Sequence, residues 1–450
     1  MIPKLWHWWH ETRSSFWFVP AMLVVGAVGL ATGLVALDAN VELHFDEKWP
    51  LLFGAGAAGS RGLLTAVASS MITVAGVVFS ITIVALSLTS SQYTSRVLRN
   101  FMRNRTNQLV LGVFVGIFAY CLVVLRTIRG GDEGAFVPSL AVLGGLALAF
   151  VGIAFLIYFI HHVSLSIQAS SIIAAAAEAT IAAVDHLFPK ELGEDSDEDS
   201  VGTAASDLGK QTWTAVGAPR MGYIESIDGD ALLAMARKQG TVFRMERGIG
   251  EFVAEGLPLV SAAGQGAVDE KMSAELIGMY VIGRQRTVEQ DAGFGIRQIV
   301  DIALKALSPG VNDTTTAVMC VDYLGAILAR LALRGIASRH RLEQGELRII
   351  ARGPSFGSLL AEAFDQIRQN AGGNVAVLTG QLQALETIAR QTTNARRRQF
   401  LRQQADMIIA LAERTIPSPN DQAGVKTASA RLSQVLDAPI GQSLRLPLGH

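Results

Sequence analysis

Four stretches in the first third of this 450-residue chain are each long and apolar enough to cross a bilayer, which restricts it to folds that place them in lipid. Residues 16–37, 63–88, 109–125 and 136–160 contain no Asp, Glu, Lys or Arg. A spanning helix needs about 20 mostly apolar residues, so each is expected to be a transmembrane helix. The third is the shortest, and its flanking residues Asn107 and Arg126 can reach outward from the helix ends.

The short loops set the orientation, because cytoplasmic loops collect Lys and Arg. Arg96, Arg99, Arg103 and Arg105 lie between the second and third stretches. The loop before them carries Asp38, Glu42, Asp46 and Glu47 against Lys48 and Arg61. The arginine loop is therefore expected in the cytoplasm, although Arg126 and Arg129 then face outward beside Asp132 and Glu133. Four crossings place both termini, and everything after Ile160, on the same side. The opening residues are bulky, with Trp6, Trp8, Trp9 and Trp17, and no small-residue cleavage site follows a short apolar core. They read as a retained anchor whose indoles occupy the membrane interface, with His7 and His10 packed among them.

Hydrophobic residues make up 50% of the chain and charged residues only 17%, as for a protein partly in lipid. A net charge of -1 argues against nucleic acid, which requires a clustered basic surface. The two cysteines, Cys121 and Cys320, form no disulfide framework and have no zinc-site spacing. No cofactor or metal is expected, and the lipid bilayer is the expected partner.

The first domain is read as residues 1–165. Residues 166–210 come next as an Ala-rich helical stalk, continuous with the fourth crossing, and an acidic linker at 194–200 that lacks the Gly and terminal Glu of a calcium loop. Residues 211–265 change character. Strands at 221–227 and 241–246 bracket a helix at 229–238, and Gly248, Gly250, Gly256 and Pro258 punctuate residues 247–260. This stretch resembles the small sandwich-barrel domains of the lipoyl and biotinyl type. It departs from them in having no Lys at a hairpin tip, since Lys238 falls in the helix, so a structural or adaptor module is expected.

Residues 266–440 read as a helical domain and 441–450 as a loose tail. Ile296, Ile299, Val300, Ala303, Leu304 and Leu307 share one helix face, with Arg297, Asp301 and Lys305 alternating in sign on the other. Residues 308–313 break this helix, with Gly310 as a C-terminal cap and Asn312 or Asp313 capping the next. That next helix, 314–334, is nearly all apolar, but Asp322 and Arg330 would each cost about 2.5–3.5 kcal/mol in lipid. It is expected inside a cytoplasmic bundle, with Asp322 paired to Arg284, Arg286 or Arg330. Residues 346–352 alternate as a strand, and Arg396, Arg397, Arg398 and Arg402 form a basic turn expected on a solvated face.

Three segments carry a family resemblance: Arg284-Gln285-Arg286-Thr287-Val288-Glu289-Gln290-Asp291, then Asp301-Ile302-Ala303-Leu304-Lys305-Ala306-Leu307-Ser308-Pro309-Gly310-Val311-Asn312-Asp313, then Thr316-Ala317. With the Trp-rich start and the four crossings, they make the chain similar to the bacterial membrane proteins grouped as domain of unknown function 2254. The resemblance implies a multi-pass inner (plasma) membrane protein with no assigned activity and supplies no catalytic residues.

No nucleophile elbow, phosphate-binding loop, zinc-protease motif or paired Cys-x-x-Cys is present, so an enzyme ranks behind non-catalytic readings. Two constellations remain. Arg284, Arg286, Asp291, Asp301, Asn312, Asp313 and Asp322 could form a small-ligand or ion site, or serve as caps and ion pairs. Thr73, Ser80 and Ser87 are spaced by seven in the second crossing, with Ser69 and Ser91 beyond, so their side chains share a face. Such a face packs helices closely, or lines a water-filled path between subunits. The sequence expectation is thus an α-helical membrane protein with a cytoplasmic α+β region, a small β-barrel-like module followed by a helical bundle. It is expected to be a homo-oligomer forming a channel or transporter-like pore, or else an anchored scaffold or sensor that conducts nothing.

Overall fold

The computed structural model describes residues 17–40, 56–92, 105–130, 136–166, 168–188, 212–264, 268–288, 290–336, 338–343 and 346–438. The tryptophans and histidines of residues 6–10, most of the arginine loop, the acidic run and the 441–450 tail lie outside these residues. The chain divides into two compact units, Met1–Ser171 and Ile172–His450.

The first unit is helical, with α1 (Phe18–Asn40), α2 (Ala57–Gln92), α3 (Arg105–Thr127) and α4 (Ser139–Ser166). Each helix covers most of its apolar stretch, α1 and α4 starting two and three residues later than expected, and α2 overruns its stretch at both ends to 36 residues, about 54 Å at 1.5 Å per residue. Helix geometry tolerates Arg61 in the first turns and the polar run Thr89-Ser90-Ser91-Gln92 at the other end, both beyond the apolar stretch. Helix α3 is central, packed on α1, α2 and α4. Gly112 and Gly116, a four-residue repeat, allow α1 to approach closely, since a Cβ on Gly112 would lie 2.9 Å from Pro20 Cα. Leu64, Met71, Val78, Phe114, Ile117 and Tyr120 fill the core.

Polar ties close one end of this bundle. Asp38, at the end of α1, accepts from the amides of Leu140 at 3.3 Å and Ala141 at 3.1 Å, capping α4. Arg61 donates to the Ile128 carbonyl at 2.8 Å, and the Tyr120 hydroxyl to that of Ala141 at 2.7 Å. A carboxylate is favourable at a helix N-terminus, so Asp38→Ala should destabilise the unit by about 1–2 kcal/mol. Thermal unfolding in detergent measures this, and an unchanged midpoint would remove Asp38 from the account.

Helix α5 (Ala169–Leu187) is separate from α4, with a bend at Gln168, so the continuous stalk expected from the Ala-rich sequence is not formed. In the second unit it is followed by β1 (Trp213–Gly217), β2 (Gly222–Ile227), α6 (Gly229–Gln239), β3 (Phe243–Met245), β4 (Phe252–Val253), β5 (Pro258–Ala263), α7 (Glu270–Gly278) and β6 (Tyr280–Gly283). The strand–helix–strand reading of 221–246 is observed, with Asp228 capping α6 and Gly240 ending it in the left-handed conformation at φ 59°.

The remaining elements are α8 (Ala292–Ala306), α9 (Thr314–Ala332), β7 (His340–Glu343), β8 (Glu346–Ile350), α10 (Phe356–Asn370), α11 (Val375–Arg390), α12 (Ala395–Thr415) and α13 (Pro419–Asp437). The strands form two open sheets, ordered β1-β5-β3-β8-β7 and β4-β2-β6, rather than a closed barrel. Strands beyond residue 265 complete both, and β3 pairs with β8 in parallel. Ile224, Phe243, Val253, Leu259 and Ile282 form the core of this part. Helix α9 is the buried centre of the bundle, packed on α8, α10 and α11.

Only part of the basic turn is a solvated face, since Arg396 and Arg402 are exposed but the two arginines between them are not. Arg397 and Arg398 are 6% and 5% exposed, and their guanidinium groups cap helix C-termini. Arg397 donates to the carbonyls of Ala332 and Arg334, both at 3.0 Å, and Arg398 to those of Leu436 at 3.3 Å and Ala438 at 3.0 Å. Terminal carbonyls that have no partner within their own helix draw a cation inward.

Candidate functional site

The hydroxyl stripe lies on the outer face of α2. Ser69, Thr73, Ser80 and Ser87 are exposed, whereas Val78 and Ala85, on the opposite face, are each 1% exposed and packed into the bundle. The side chain of Ser91 is outside the described residues. Thr73 Oγ1 donates to the Ser69 carbonyl at 2.8 Å, and the buried Thr82 does the same to Val78 at 2.8 Å. Gly76, between Thr73 and Ser80, has nothing within 4 Å of where a Cβ would stand. The stripe is thus a narrow hydroxyl and glycine strip among Ile72, Val77, Phe79, Ile83 and Val84, which are also exposed. Its spacing was visible in the sequence. Its outward direction depends on which residues α3 and α4 cover.

The polar residues of the second unit occupy several places. Arg286 Nε donates to Asp291 Oδ2 at 2.8 Å, and Asp291 Oδ1 accepts the Phe294 amide at 2.9 Å, capping α8. Gly250 presses on this pair at φ 82°, where a Cβ would meet Asp291 Oδ2 at 2.2 Å. Only glycine fits there. Arg284 is exposed beyond β6. Asp301 pairs with Arg297 at 2.8 Å along α8, as the alternating charges suggested, and Arg297 also reaches Glu362 at 3.4 Å.

Asn312 has φ 47°, the only non-glycine positive φ among the described residues, and borders a shallow polar cleft of about 440 Å³ with Asn370, Gly372, Gly373 and Asn374. Asp313, not Asn312, caps α9. It accepts from the Thr316 amide at 3.0 Å and the Thr316 hydroxyl at 2.6 Å. The C-cap of α8 is Leu307, not Gly310. The Thr316 hydroxyl, then the Thr316 and Thr315 amides, hold the Asp313 carboxyl below its ordinary range, with burial opposing them. A depressed folded value means the cap's contribution is complete above the unfolded value of about 3.9 and disappears as pH falls through the folded value. Asp313→Ala should therefore cost about 1 kcal/mol near neutrality and nothing in strong acid. Unfolding across a pH series checks it, and a constant difference would contradict the cap.

Asp322 is exposed and pairs with none of the three arginines expected for it. Arg330 instead grips Asp185 of α5 in a two-pronged contact, Nε to Oδ1 and Nη2 to Oδ2, both at 2.9 Å. Arg334, 7% exposed, donates to the same carboxylate and to the Phe188 carbonyl at 3.3 Å. Nearby, Thr180 of α5 lies directly against Gly295 of α8. Asp185 was missed because its partners are 145 and 149 residues away. Among the described residues no group of three or more His, Cys, Asp and Glu side chains could hold a metal ion. Of the seven polar residues, Asp291 and Asp313 act as caps and Arg286, Asp291 and Asp301 as ion-pair partners.

The family model described as "Predicted membrane protein (DUF2254)" matches residues 13–387. Uncharacterized proteins of Mycobacterium bovis and Mycobacterium tuberculosis are each 34% identical to this chain over 434 residues, covering 95% of it and 82% of the relative. No solved structure matches.

Proposed function

Because the chain belongs to the predicted membrane proteins of the domain of unknown function 2254 family, we propose that it is a four-span inner-membrane protein whose copies assemble with their α2 helices around a shared, channel-like pore. The observation carrying this reading is the outward direction of Thr73, Ser80 and Ser87. Hydroxyls are poorly suited to hydrocarbon, and a second α2 or water gives them partners. Among the described residues the centre of a single copy's bundle is packed with apolar side chains, so conduction is assigned to the assembly.

Six described helices are long and apolar enough to cross a membrane, α1 to α4 together with α5 and α9. The four-span count rests on the last two serving the second unit instead. Helix α9 is mostly buried within the second unit, and Asp185 of α5 joins Arg330 and Arg334 at its end. Charged residues in mid-helix add a cost in lipid that α1 to α4 avoid. The arginine loop then puts both termini and the second unit, as a regulatory part, in the cytoplasm. A reporter fused after His450 should read cytoplasmic and one inserted near Gly131 periplasmic. A periplasmic C-terminus would overturn count and orientation together.

One observation favours the second reading, an anchored scaffold or sensor. The Thr73 hydroxyl is satisfied by its own helix, so it needs no water. Solute flux into liposomes containing the purified protein, with its oligomeric state measured in the same preparation, separates the two. Flux from an oligomer supports the pore, and a tight oligomer without flux supports the scaffold.

A further inference from the structure

The outer face of the three-stranded sheet carries apolar side chains that no described element covers. Tyr223 of β2 pairs in register with Phe252 of β4 and Gly283 of β6, which puts all three on one face. The Tyr223 and Phe252 rings meet edge to face at 5.3 Å. Ile224, Val253 and Ile282 fill the opposite, buried face. Phe252 is 53% exposed and Val281, on the outer side of β6, 37%. Beside them two turns lie together, joined by hydrogen bonds between Ala218 and Leu257 at 2.8 Å and Gly256 and Ala218 at 2.9 Å. They carry Met221, 71% exposed, and Leu257, 45% exposed.

The charges around this patch are mixed. Arg220 is exposed and is held to the sheet by a hydrogen bond to the Ile282 carbonyl, and Arg284 comes directly after β6. The Glu225 carboxylate lies over Gly283, and Glu255 is exposed on the turn before Leu257. Carboxylates on the patch oppose an anionic leaflet, whereas two cations and two anions around an apolar centre form a surface that complements itself across a two-fold axis.

We propose that this face docks on the same face of a second copy of this chain. The exposed apolar area is on the order of 400 Å² per copy, below the roughly 800 Å² per partner of a stable free dimer. The contact therefore needs help, and copies confined to one membrane meet at high effective concentration. It rests on the second unit lying outside the bilayer, and is independent of the arrangement of α2.

Single cysteines replacing Met221, Phe252 or, as a control remote in sequence, the exposed Asn420 test the proposal in the full chain. Cys121 and Cys320 are fully buried and serve as a silent background. In native membranes, oxidative or short bis-maleimide cross-linking should join copies through Met221→Cys and Phe252→Cys, but not through Asn420→Cys. Adding Phe252→Asp to Met221→Cys, both at exposed positions, should lower the yield about tenfold or more by removing the largest apolar contact. Dilution into excess detergent should abolish it. Yields at 221 and 252 no higher than at 420, or unaffected by Phe252→Asp, overturn the proposal. So does shielding of these sites from a water-soluble thiol reagent without cross-linking, which would assign the patch to lipid or another protein. If the reagent fails to reach Asn420→Cys from either side of the membrane, the second unit is not in water. The four-span reading then fails, and this proposal with it.

Discussion

Replacing Asp185 by Ala should destabilise the second unit by about 2–4 kcal/mol, a large effect for a single polar change. The carboxylate takes both prongs of Arg330 and a further bond from Arg334, which is itself 7% exposed. Without it, Arg334 is left as a buried cation holding only the Phe188 carbonyl, and breaking a buried pair costs about 3–5 kcal/mol. Asp185 is 34% exposed, so solvent screening lowers that figure. Asp322→Ala is the internal comparison. Asp322 is exposed, and its removal should stay within about 0.5 kcal/mol. Hydrogen exchange across α9 measures both changes, and equal effects would show that the Asp185 clamp is not what holds α5.

Changing Thr73, Ser80 and Ser87 together to Leu should abolish flux through the assembly while leaving each copy folded. The three side chains face away from the core of their own unit, so added bulk meets no neighbour among the described residues of that unit. A hydrophobic constriction dewets and stops ions and polar solutes. The same change at the buried Val78 and Ala85 would act through packing, overfilling a core in which both are 1% exposed, and should reduce stability instead. Flux that survives the triple change would move the path elsewhere.

Much of this arrangement is legible locally. The charge-free stretches mark α1 to α4, because lipid excludes charge and a helix satisfies its own backbone. The turn between α8 and α9 is legible because Asp313 caps its helix three residues from the amide it binds. Strand β8 shows its alternation within five residues.

What stayed hidden depends on partners distant in sequence. Arg397 and Arg398 look solvated until the ends of α9 and α13 are placed beside them. The sheets recruit β6, β7 and β8 from well beyond the Gly-rich stretch, and a parallel pair such as β3 and β8 leaves no turn signal. The break between α4 and α5 contains neither Gly nor Pro, so helix propensity reads straight through it. The hydroxyl stripe is intermediate, since its periodicity is written in the sequence and its direction is set by packing.

The most direct measurement of the central claim is the rate at which a small, membrane-impermeant thiol reagent modifies single cysteines placed along α2 in a background lacking Cys121 and Cys320. Modification needs thiolate and access to water, both suppressed in lipid and in a dry interface. The pore account predicts fast labelling at positions 73, 80 and 87 and none at positions 78 and 85. Labelling at 73, 80 and 87 no faster than at 78 and 85 would contradict it, and would leave α2 as a packing surface in an anchored scaffold or sensor.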